Sequence, residues 1–402
     1  MVDRISTLQI FQSGVSTILA RQEELARTQQ ELAAGRSILS PEDDPAGAIQ
    51  ILDIEEDLRQ VDQFQRNSNL AESQLSLEDT TLSNVVSVLQ RVRELTVQAN
   101  NATSGPEQRA AIAQEIDIRL DELLDLANTR DANDEFIFAG FQATSQPFTR
   151  SGDSVNYSGD DGQRFLQIAA GSQVAVRDSG SRVFLAVPAG NGSFDFSVSG
   201  NSGNVVVDSA TATTGFVRDE YTINFIQALP TDPITYEVVD SGATVVASGN
   251  FQSGEAITFA GATVVLDGEP DDGDSVEIEA TANQSIFETV SEIVQTLRSS
   301  TGEEANNAEV NNALASGLLN LDQAIGNVVE VQAEIGARLN RIDSQQEINS
   351  EFNLQLQTAL SNVQDLDYAE AISRLNLQLV ALQAAQQTFV QTQRLSLFDF
   401  IR

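Results

Sequence analysis

The sequence predicts a mainly α-helical, multidomain α+β chain in which a β-rich segment is inserted between helical ends. Three observations predict this fold. Residues 46–105 and 271–402 contain no proline, so long helices are permitted there. Sixteen of the 25 glycines fall between residues 150 and 285, which also hold alternating, β-branched runs typical of strands. Apolar residues recur at heptad spacing at both ends of the chain.

The first helix is predicted from a seam that runs from Leu8 to Leu32 with alternating steps of three and four. Gly35 follows as the expected C-cap, and Pro41 and Pro45 interrupt any continuation. A helix of this length with so narrow an apolar stripe cannot form a globule alone. The apolar members of this seam are Leu8, Phe11, Val15, Ile18, Leu25 and Leu32.

The last helix is predicted from a second seam with the same alternation. Its members are Tyr368, Ile372, Leu375, Leu379, Leu382, Gln386 and Phe389. Each seam taken alone also fits a core-facing amphipathic helix in a bundle. Because both ends of one chain carry such a seam, we expect the two helices to pair as a coiled coil.

Further helices are predicted between the seams and the β-rich insertion. Asp44-Pro45 offers an N-cap and a first-turn proline for a helix that runs toward Asn100-Asn101. Gly105-Pro106-Glu107 begins another that ends near Asn128. Helical periodicity returns at residues 285–299 and from Ala305 onward. Ile335, Leu339 and Ile342 share one stripe, and we expect these inner helices to form a bundle.

Three domains follow from this division. The terminal assembly domain comprises residues 1–40 and 365–402. The inner helical domain comprises residues 41–178 and 285–364. The outer β-rich domain is residues 179–284, where residues 223–226, 235–239 and 275–279 have strand-like sequences.

The composition excludes several kinds of chemistry. The chain has no Cys, His or Trp, and all 22 basic residues are Arg. It therefore lacks the residues of a zinc finger, a Ser-His-Asp triad, a thiol nucleophile or a P-loop lysine. The net charge of −37 disfavours nucleic acid and anionic membrane as partners.

The charge is unevenly distributed along the chain. Residues 1–35 carry three Arg and four acidic side chains, and residues 368–402 carry three Arg and two acidic side chains. Both ends are thus nearly neutral, and the excess of acid lies between them. We expect the ends to be buried against other chains while the middle stays in water.

Two acidic clusters are candidates for a metal-binding or a catalytic site. Asp271, Asp272 and Asp274 could bind calcium, but their spacing departs from the EF-hand pattern and fits a solvated turn better. The segment 42–44 could supply paired catalytic carboxylates, but its acids also fit the start of a helix, where anions are favourable. We assign no catalytic, metal-binding or cofactor-binding residue.

The first residues do not form a secretory signal, because they lack a basic segment followed by an apolar one. No stretch approaches the ~18 apolar residues of a membrane span. If the protein leaves the cell, we expect a route that needs no cleaved signal peptide.

Five segments resemble the hook-associated protein 3 family of the flagellin superfamily. They are RISTLQIFQSG (4–14), ELAAGRSILSPEDDPAGA (31–48), DEFIFAGFQATSQPF (134–148), IGARLNRID (335–343) and DLDYAEAISRLNLQLVALQAAQQTF (365–389). Flagellins share the glycine-to-acid turn and the C-terminal helix. The opening RISTLQ and the FAG segment are what favour the junction protein of that group over flagellin itself.

This resemblance implies a structural subunit of the bacterial flagellum. Such subunits would form the junction between hook and filament on which flagellin polymerises. The resemblance implies terminal helices paired as an inner coiled coil, an inner bundle with a β-hairpin near 153–177, and an outer β domain. It also implies self-assembly into a ring, contacts with hook-associated protein 1 and flagellin, an export chaperone, and an extracellular location after type III export.

The seam residues are the expected assembly interface. They are Leu8, Phe11, Val15, Ile18, Leu25, Leu32, Ile372, Leu375, Leu379, Leu382 and Phe389. Two other functions stay open at this point, namely flagellin itself and a secreted coiled-coil adhesin. Ligand binding by the segment 179–284 would favour the adhesin.

Overall fold

Six helices account for most of the chain. The structure, a computed structural model, describes residues 7–101, 104–198, 201–229 and 232–400. The helices are α1 (Thr7–Ala34), α2 (Pro45–Ala99), α3 (Pro106–Ala127), α4 (Ile286–Arg298), α5 (Glu304–Gln364) and α6 (Tyr368–Phe400).

The helices begin where the sequence supplies a cap. The Asp44 carboxylate accepts the Ala46 N–H at 3.1 Å before α2. Pro106 occupies the first turn of α3, and the Ser285 hydroxyl accepts the Phe287 N–H at 3.2 Å before α4. The Asp44 and Ser285 side chains satisfy N–H groups that have no partner within the helix, whereas Pro106 has no N–H that needs one. The predicted starts of all three helices are confirmed.

Two hairpins connect α3 to the β-rich insertion. The first pairs β1 (Phe148–Ser151) with β2 (Ser154–Tyr157), and the second pairs β3 (Phe165–Ala169) with β4 (Ser172–Ala175). The hairpin that the resemblance implies near 153–177 is present as β3 and β4, and the hairpin of β1 and β2 is an additional one. The Gly152-containing turn, with a φ of 65° at the glycine, allows the earlier pair of strands to form.

In the residues that the structure describes, the β-rich insertion contains two larger antiparallel sheets and one further two-stranded pair. The remaining strands are β5 (Val187–Pro188), β6 (Phe194–Ser197), β7 (Val206–Ala212), β8 (Tyr221–Ile226), β9 (Thr235–Asp240), β10 (Val245–Asn250), β11 (Ala256–Phe259), β12 (Ala262–Asp267), β13 (Ser275–Ala280) and β14 (Asn283–Gln284). The larger sheet has the order β10-β9-β8-β13-β6, and the smaller one has the order β11-β12-β7.

Strands β6, β8, β11 and β12 bury every second residue, as is typical of an antiparallel sheet with one covered face. In β8, Tyr221, Ile223 and Phe225 are buried and the residues between them are partly exposed. The predicted strands at 223–226, 235–239 and 275–279 are all present. The mainly α chain with a β insertion is therefore confirmed.

The chain divides into two compact units. One, which we call the terminal unit, comprises residues 1–66 and 345–402, and the other comprises residues 67–344. The second unit has two hydrophobic cores. We call its parts the helical body (67–186 and 285–344) and the β domain (187–284).

The core of the helical body is built by one apolar face from each of α2, α3, α4 and α5. Its fully buried members include Leu75, Leu82 and Leu89 of α2, and Ile335 and Ile342 of α5. Burying one such side chain contributes roughly 1.5–3 kcal/mol. The predicted stripe on the last inner helix is confirmed, because Leu339 packs against the same core.

Three polar side chains of α5, spaced four residues apart, form hydrogen bonds with the β domain. Asn312 donates to the Val205 carbonyl and accepts the Val207 N–H, both at 2.8 Å. Ser316 donates to the Asp195 carboxylate at 2.8 Å. Asn320 accepts a backbone N–H from the turn after β5. The spacing of four places all three on the same side of the helix.

Candidate assembly interface

Helix α1 ends at Gly35, which also meets the start of α6. The Gly35 N–H donates to the Glu31 carbonyl at 2.8 Å, and its own carbonyl accepts the Leu366 N–H at 3.1 Å. The φ of Gly35 is 67°, and a Cβ there would lie 2.8 Å from the Tyr368 hydroxyl. Glycine therefore fits both the left-handed backbone and the close approach. The predicted C-cap is confirmed.

The segment before α6 pairs with the segment after α1. The Ser37 N–H donates to the Gln364 carbonyl at 2.8 Å. Asp367 then caps α6, since its carboxylate accepts the N–H groups of Ala369 and Glu370 at 2.9 and 3.1 Å. This cap was not predicted from the sequence, although an aspartate just before an apolar-periodic run is an N-cap pattern.

At their other ends the two helices meet through aromatic rings. The ring centroids of Phe11 and Phe389 are 5.3 Å apart. Gly14 leaves room for this contact, because a Cβ there would lie 2.6 Å from Phe389 Cδ2. The start of α1 thus meets the end of α6, and the pair is antiparallel.

An ion pair joins α1 to α6 near Gly35. Arg374 Nη2 lies 2.5 Å from Glu31 Oε2, and Arg27 Nε lies 3.4 Å from Glu31 Oε1. The Glu31 side chain is mostly covered, so this pair is less screened by solvent than an exposed one. Because the pair involves both helices, it favours one register of α1 against α6.

Asp43 organises the turn between α1 and α2. Its carboxylate accepts the Ser40 and Leu39 N–H groups at 3.0 and 3.1 Å, and Arg27 lies 2.9 Å from it. The Ser40 amide, followed by the Leu39 amide and the Arg27 charge, lowers the pKa of the Asp43 carboxyl. The geometry fits the structural role that the sequence favoured for the acids of 42–44.

The face of α6 that packs against α1 differs from the predicted seam at every second seam position. Its partly or fully buried side chains follow steps of four and three: Ala371, Leu375, Gln378, Leu382, Ala385 and Phe389. Ile372 and Leu379 are instead 49% and 37% exposed. The small Ala371 and the polar Gln378 gave a weaker apolar signal than the neighbouring Ile372 and Leu379, which explains the shift at those two positions.

The α1 side of the seam follows the prediction more closely. Val15, Ile18, Leu25 and Leu32 are partly buried. Phe11 is 45% exposed even though its ring contacts Phe389. The backbone of Leu8 lies in α1, but its side chain is outside the described residues. That these residues form an interface between subunits stays a prediction.

Apolar surface remains uncovered on the outer side of this pair. The exposed apolar side chains are Leu19 on α1 and Ile372, Leu377, Leu379, Val380 and Val390 on α6. A coiled pair of two helices buries only its common seam. The described part of the α1–α6 pair therefore leaves these apolar side chains open to solvent.

The FAG segment that carried the resemblance is a rigid loop in the helical body. Gly140 has a φ of 67°, and a Cβ there would lie 2.3 Å from the Asp160 carbonyl oxygen. The Asp160 carboxylate accepts the Phe141 N–H at 2.9 Å. The Tyr157 hydroxyl donates toward the Phe138 and Asp160 carbonyls at 3.1 and 3.0 Å. The glycine is therefore required by the close approach of two backbones.

The end of the same segment is anchored in an aromatic cluster. The Phe148 ring is fully buried and lies 4.9, 5.4 and 5.2 Å from the rings of Tyr157, Phe184 and Phe287. Phe138 contacts Phe184 edge-on at 5.1 Å. These rings join the hairpin, the loop and α4, so the segment stabilises the junction of three elements.

The acidic loop before β13 is organised by its own backbone. The buried Asp274 carboxylate accepts the N–H groups of Ser202, Gly203 and Asp271 at 2.8, 3.0 and 2.9 Å. In the part of the chain that the structure describes, no group of three or more acidic side chains is placed to hold a metal ion. Among the same residues, no helix has both the length and the apolar character of a bilayer span.

Comparison with known proteins agrees with this geometry. The profile of the bacterial flagellin N-terminal helical region matches residues 5–143, and that of the flagellin C-terminal helical region matches residues 318–401. A hook-associated protein 3 structure from Legionella pneumophila is 32% identical, with a TM-score of 0.74, over 77% of this chain and 98% of that chain. The chain belongs to the flagellar hook-associated protein 3 family.

Two further relatives support the family assignment. FlgL of Xanthomonas campestris is 30% identical, with a TM-score of 0.71, over 77% of this chain and 99% of that chain. Hook-associated protein 3 of Salmonella typhimurium is 24% identical over 99% of this chain and 100% of its own length. The predicted resemblance to hook-associated protein 3 is confirmed.

Proposed function

We propose that this chain is a structural subunit of the bacterial flagellum that forms the junction between hook and filament. The observation that carries the proposal is the full-length similarity to hook-associated protein 3, and one solved relative from Legionella is named a flagellar junction protein. Helices α1 and α6 and the FAG loop all lie within the residues that match the Salmonella relative. We propose an extracellular location and export without a cleaved signal peptide.

The terminal helix pair supports an assembly role. The pair closes one seam and leaves apolar side chains exposed on α6, including Leu377 and Val380. A ring of identical subunits would cover such surface by repeating one contact around an axis. We propose that the seam residues, together with these exposed ones, form the contacts between subunits.

The partners follow from the position of a junction. We propose that hook-associated protein 1 binds on the hook side and flagellin on the filament side, and that an export chaperone holds the terminal helices before assembly. A chaperone is expected because exposed apolar helices associate nonspecifically. We further propose that the protein acts without catalysis, by geometry and contact alone.

The three-part division is part of the proposal. The terminal domain would be residues 1–40 and 365–402, the inner domain residues 41–178 and 285–364, and the outer domain residues 179–284. The separate hydrophobic core of the β domain supports an independent outer part.

Deletion of the gene in its source bacterium tests the proposal. We expect hooks without filaments, with flagellin shed into the medium, because flagellin would still be exported but would have no junction to polymerise on. Electron microscopy shows the hooks, and immunoblotting of the supernatant shows the flagellin.

Complementation with the intact gene should restore filaments and serves as the control. Hooks without filaments and without any flagellin in cells or medium would identify the chain as the filament subunit instead. Normal filaments in the deletion strain would exclude both roles.

A further inference from the structure

The β domain and the helical body differ in how their charges are balanced. The β domain contains fifteen acidic side chains and one basic one, Arg218, a net charge of −14 in 98 residues. The helical body contains 26 acidic side chains and twelve arginines, which is also −14 but in 180 residues. The same net charge is thus spread over almost twice the length in the helical body.

The arginines of the helical body lie against its acids. Arg150 contacts both Asp117 and Asp121 at 2.6 Å, and Arg338 lies 2.9 Å from the buried Asp178. These contacts neutralise carboxylates in pairs, so that part of the protein carries its own counter-charges.

In the β domain, by contrast, no carboxylate of the described residues lies within 4.0 Å of an arginine nitrogen. Ten of its fifteen acids are exposed. Their negative charges are therefore balanced by no fixed positive charge, and only dissolved ions can screen them.

Strand pairing brings some of these acids face to face. In the ladder between β13 and β6, Glu279 is the direct partner of Asp195, and Glu277 is the partner of Ser197 on the same face. Like charges directly opposite each other destabilise a sheet. The Asp195 carboxylate accepts hydrogen bonds from Ser316 and from the Phe196 N–H, but neither donor carries a charge.

A neighbouring helix adds a further acid at this place. Burial raises the pKa of Glu292 on α4, and the nearby charges of Glu288 and Asp195 raise it further. Three elements therefore direct carboxylates toward one region: β6, β13 and α4. Among the described residues no group of three or more acidic side chains is placed to hold a metal ion there, so we attribute the screening to the dissolved ions as a whole.

We infer that the β domain depends on dissolved cations for its stability, and that it opens before the helical body when the ionic strength is low. The range of an exposed charge falls from about 30 Å at 0.01 M salt to about 3 Å at 1 M. Repulsion among exposed acids of the β domain is therefore strong in dilute buffer and nearly absent at high salt. The ion pairs of the helical body respond to salt in the opposite sense.

Hydrogen exchange of the full chain, read by mass spectrometry, tests this inference. The chain is compared at one pH in 10 mM and 1 M NaCl, and in sucrose at the same osmolality as the high salt. We expect amides of β8, β9 and β13 to exchange on the order of tenfold more slowly at high salt. Amides of α3 and of α2 beyond residue 67 should change much less, and sucrose should not reproduce the difference.

Equal slowing in both regions, or an equal effect of sucrose, would overturn the inference, because general solvent exclusion would then suffice. An unchanged β domain would overturn it as well.

The variant Glu279→Gln provides a local test. It removes the charge opposite Asp195 and keeps the shape, so we expect slower exchange of β13 and β6 in 10 mM NaCl and no difference from the parent in 1 M. Glu115→Gln on α3 is the matched control, because Glu115 pairs with Arg91 at 2.8 Å. Its removal should speed exchange or leave it unchanged at low salt. A Glu279→Gln chain that exchanges like the parent at low salt would contradict the inference.

Discussion

The terminal unit and the helical body are both built from long helices with apolar stripes, yet they close to different degrees. In the helical body the stripes are fully covered, and Leu75, Leu82 and Ile335 have no exposed surface. In the terminal unit the seam of α1 and α6 is only partly covered, and its small separate core consists of Ile54, Val61 and Leu356. The same sequence periodicity therefore predicts a helix without predicting how completely its apolar face is buried within one chain.

The two regions also differ in their buried polar groups. The helical body buries Arg109, whose guanidinium donates to the Ala99 carbonyl, the Ser300 hydroxyl and the side-chain oxygens of Asn307 and Asn311 at 3.0–3.2 Å. In the terminal unit the pair of Glu31 with Arg374 is covered on one side only, because the Glu31 side chain is 10% exposed and the Arg374 side chain is 43% exposed. A buried polar contact is costly to break, whereas an exposed one contributes little. We therefore expect substitutions in the terminal unit to impair assembly and substitutions in the helical body to impair folding.

The largest expected effect is on assembly. We predict that Leu382→Asp abolishes junction formation, because it puts a charge into the seam between α1 and α6. Filament formation in a complemented deletion strain measures this, and Leu382→Met is the conservative control that should assemble. The thermal unfolding of the helical body should be unchanged in both variants. Filaments in the Leu382→Asp strain would contradict the coiled-coil assignment.

Leu379→Asp sharpens the same comparison. Leu379 lies outside the seam and is partly exposed, so the α1–α6 pair should tolerate this change. We nevertheless expect assembly to fail, because in our proposal this side chain is buried by another subunit. The free variant should keep its helical circular dichroism. Full assembly would show that only the inner side of α6 is used.

In the helical body, the largest expected effect on stability comes from the aromatic cluster. We predict that Phe148→Ala destabilises the helical body by about 3–5 kcal/mol, because it leaves a cavity among three rings. Phe141→Ala is the matched control, since that ring is in the same segment and is mostly exposed. Urea unfolding followed at 222 nm measures both. Similar midpoints for the two variants would show that the cluster is not part of the stabilising core.

A smaller loss is expected at the buried guanidinium. Arg109→Met should cost about 1–3 kcal/mol, because it leaves the Ala99 carbonyl and two asparagine oxygens without a donor. Arg119→Met is the control on the same helix, because Arg119 pairs with Glu122 at the surface. Urea unfolding followed at 222 nm measures both variants. Equal losses of stability in Arg109→Met and Arg119→Met would mean that the hydrogen bonds of Arg109 do not stabilise the helical body.

The smallest expected effect depends on pH. Burial, followed by the Asp178 charge, raises the pKa of Glu78 well above 4.5, while Oε1 accepts the Asp178 N–H and Oε2 has no partner. The folded state thus retains this proton to a higher pH than the unfolded chain does. Its contribution is complete below about pH 4.5 and is lost as the pH rises through the folded-state pKa, by about 1.4 kcal/mol per pH unit.

Glu78→Gln, which is neutral at every pH, should therefore lose less stability than the parent between pH 5 and pH 6, by at most about 1.4 kcal/mol. Urea midpoints at the two pH values measure this difference, with Glu94→Gln at an exposed position as the control. Parallel losses in the parent and Glu78→Gln would indicate that Glu78 is ionised in the folded protein.

Much of the architecture could be predicted because it depends on local rules. Gly35 ends α1, and Asp44 with Pro45 begins α2, because these residues satisfy or avoid backbone N–H groups within a few positions. The strands were found for the same reason, since alternation along one strand reports its own burial. The hairpin at 148–157 was missed because two short strands of four residues carry too little periodicity.

The seam was predicted less well on α6 than on α1. A heptad search weights large apolar side chains, so it chose Ile372 over the small Ala371 and Leu379 over the polar Gln378. The orientation of a helix about its own axis depends on the element that it packs against. The sequence of the helix alone does not contain that information. The pairing of Glu31 with Arg374, 343 residues apart, could not be predicted for the same reason.

The sequence by itself determined the helical ends, the β insertion, the caps, the excess of acid and the family, because these follow from composition and from patterns shorter than about 40 residues. Only the tertiary structure decided which side of α6 meets α1, that Arg109 and Glu78 are buried, and that Glu279 lies opposite Asp195. Each of these depends on contacts between residues far apart in the chain, where burial and the neighbouring charges are set by packing.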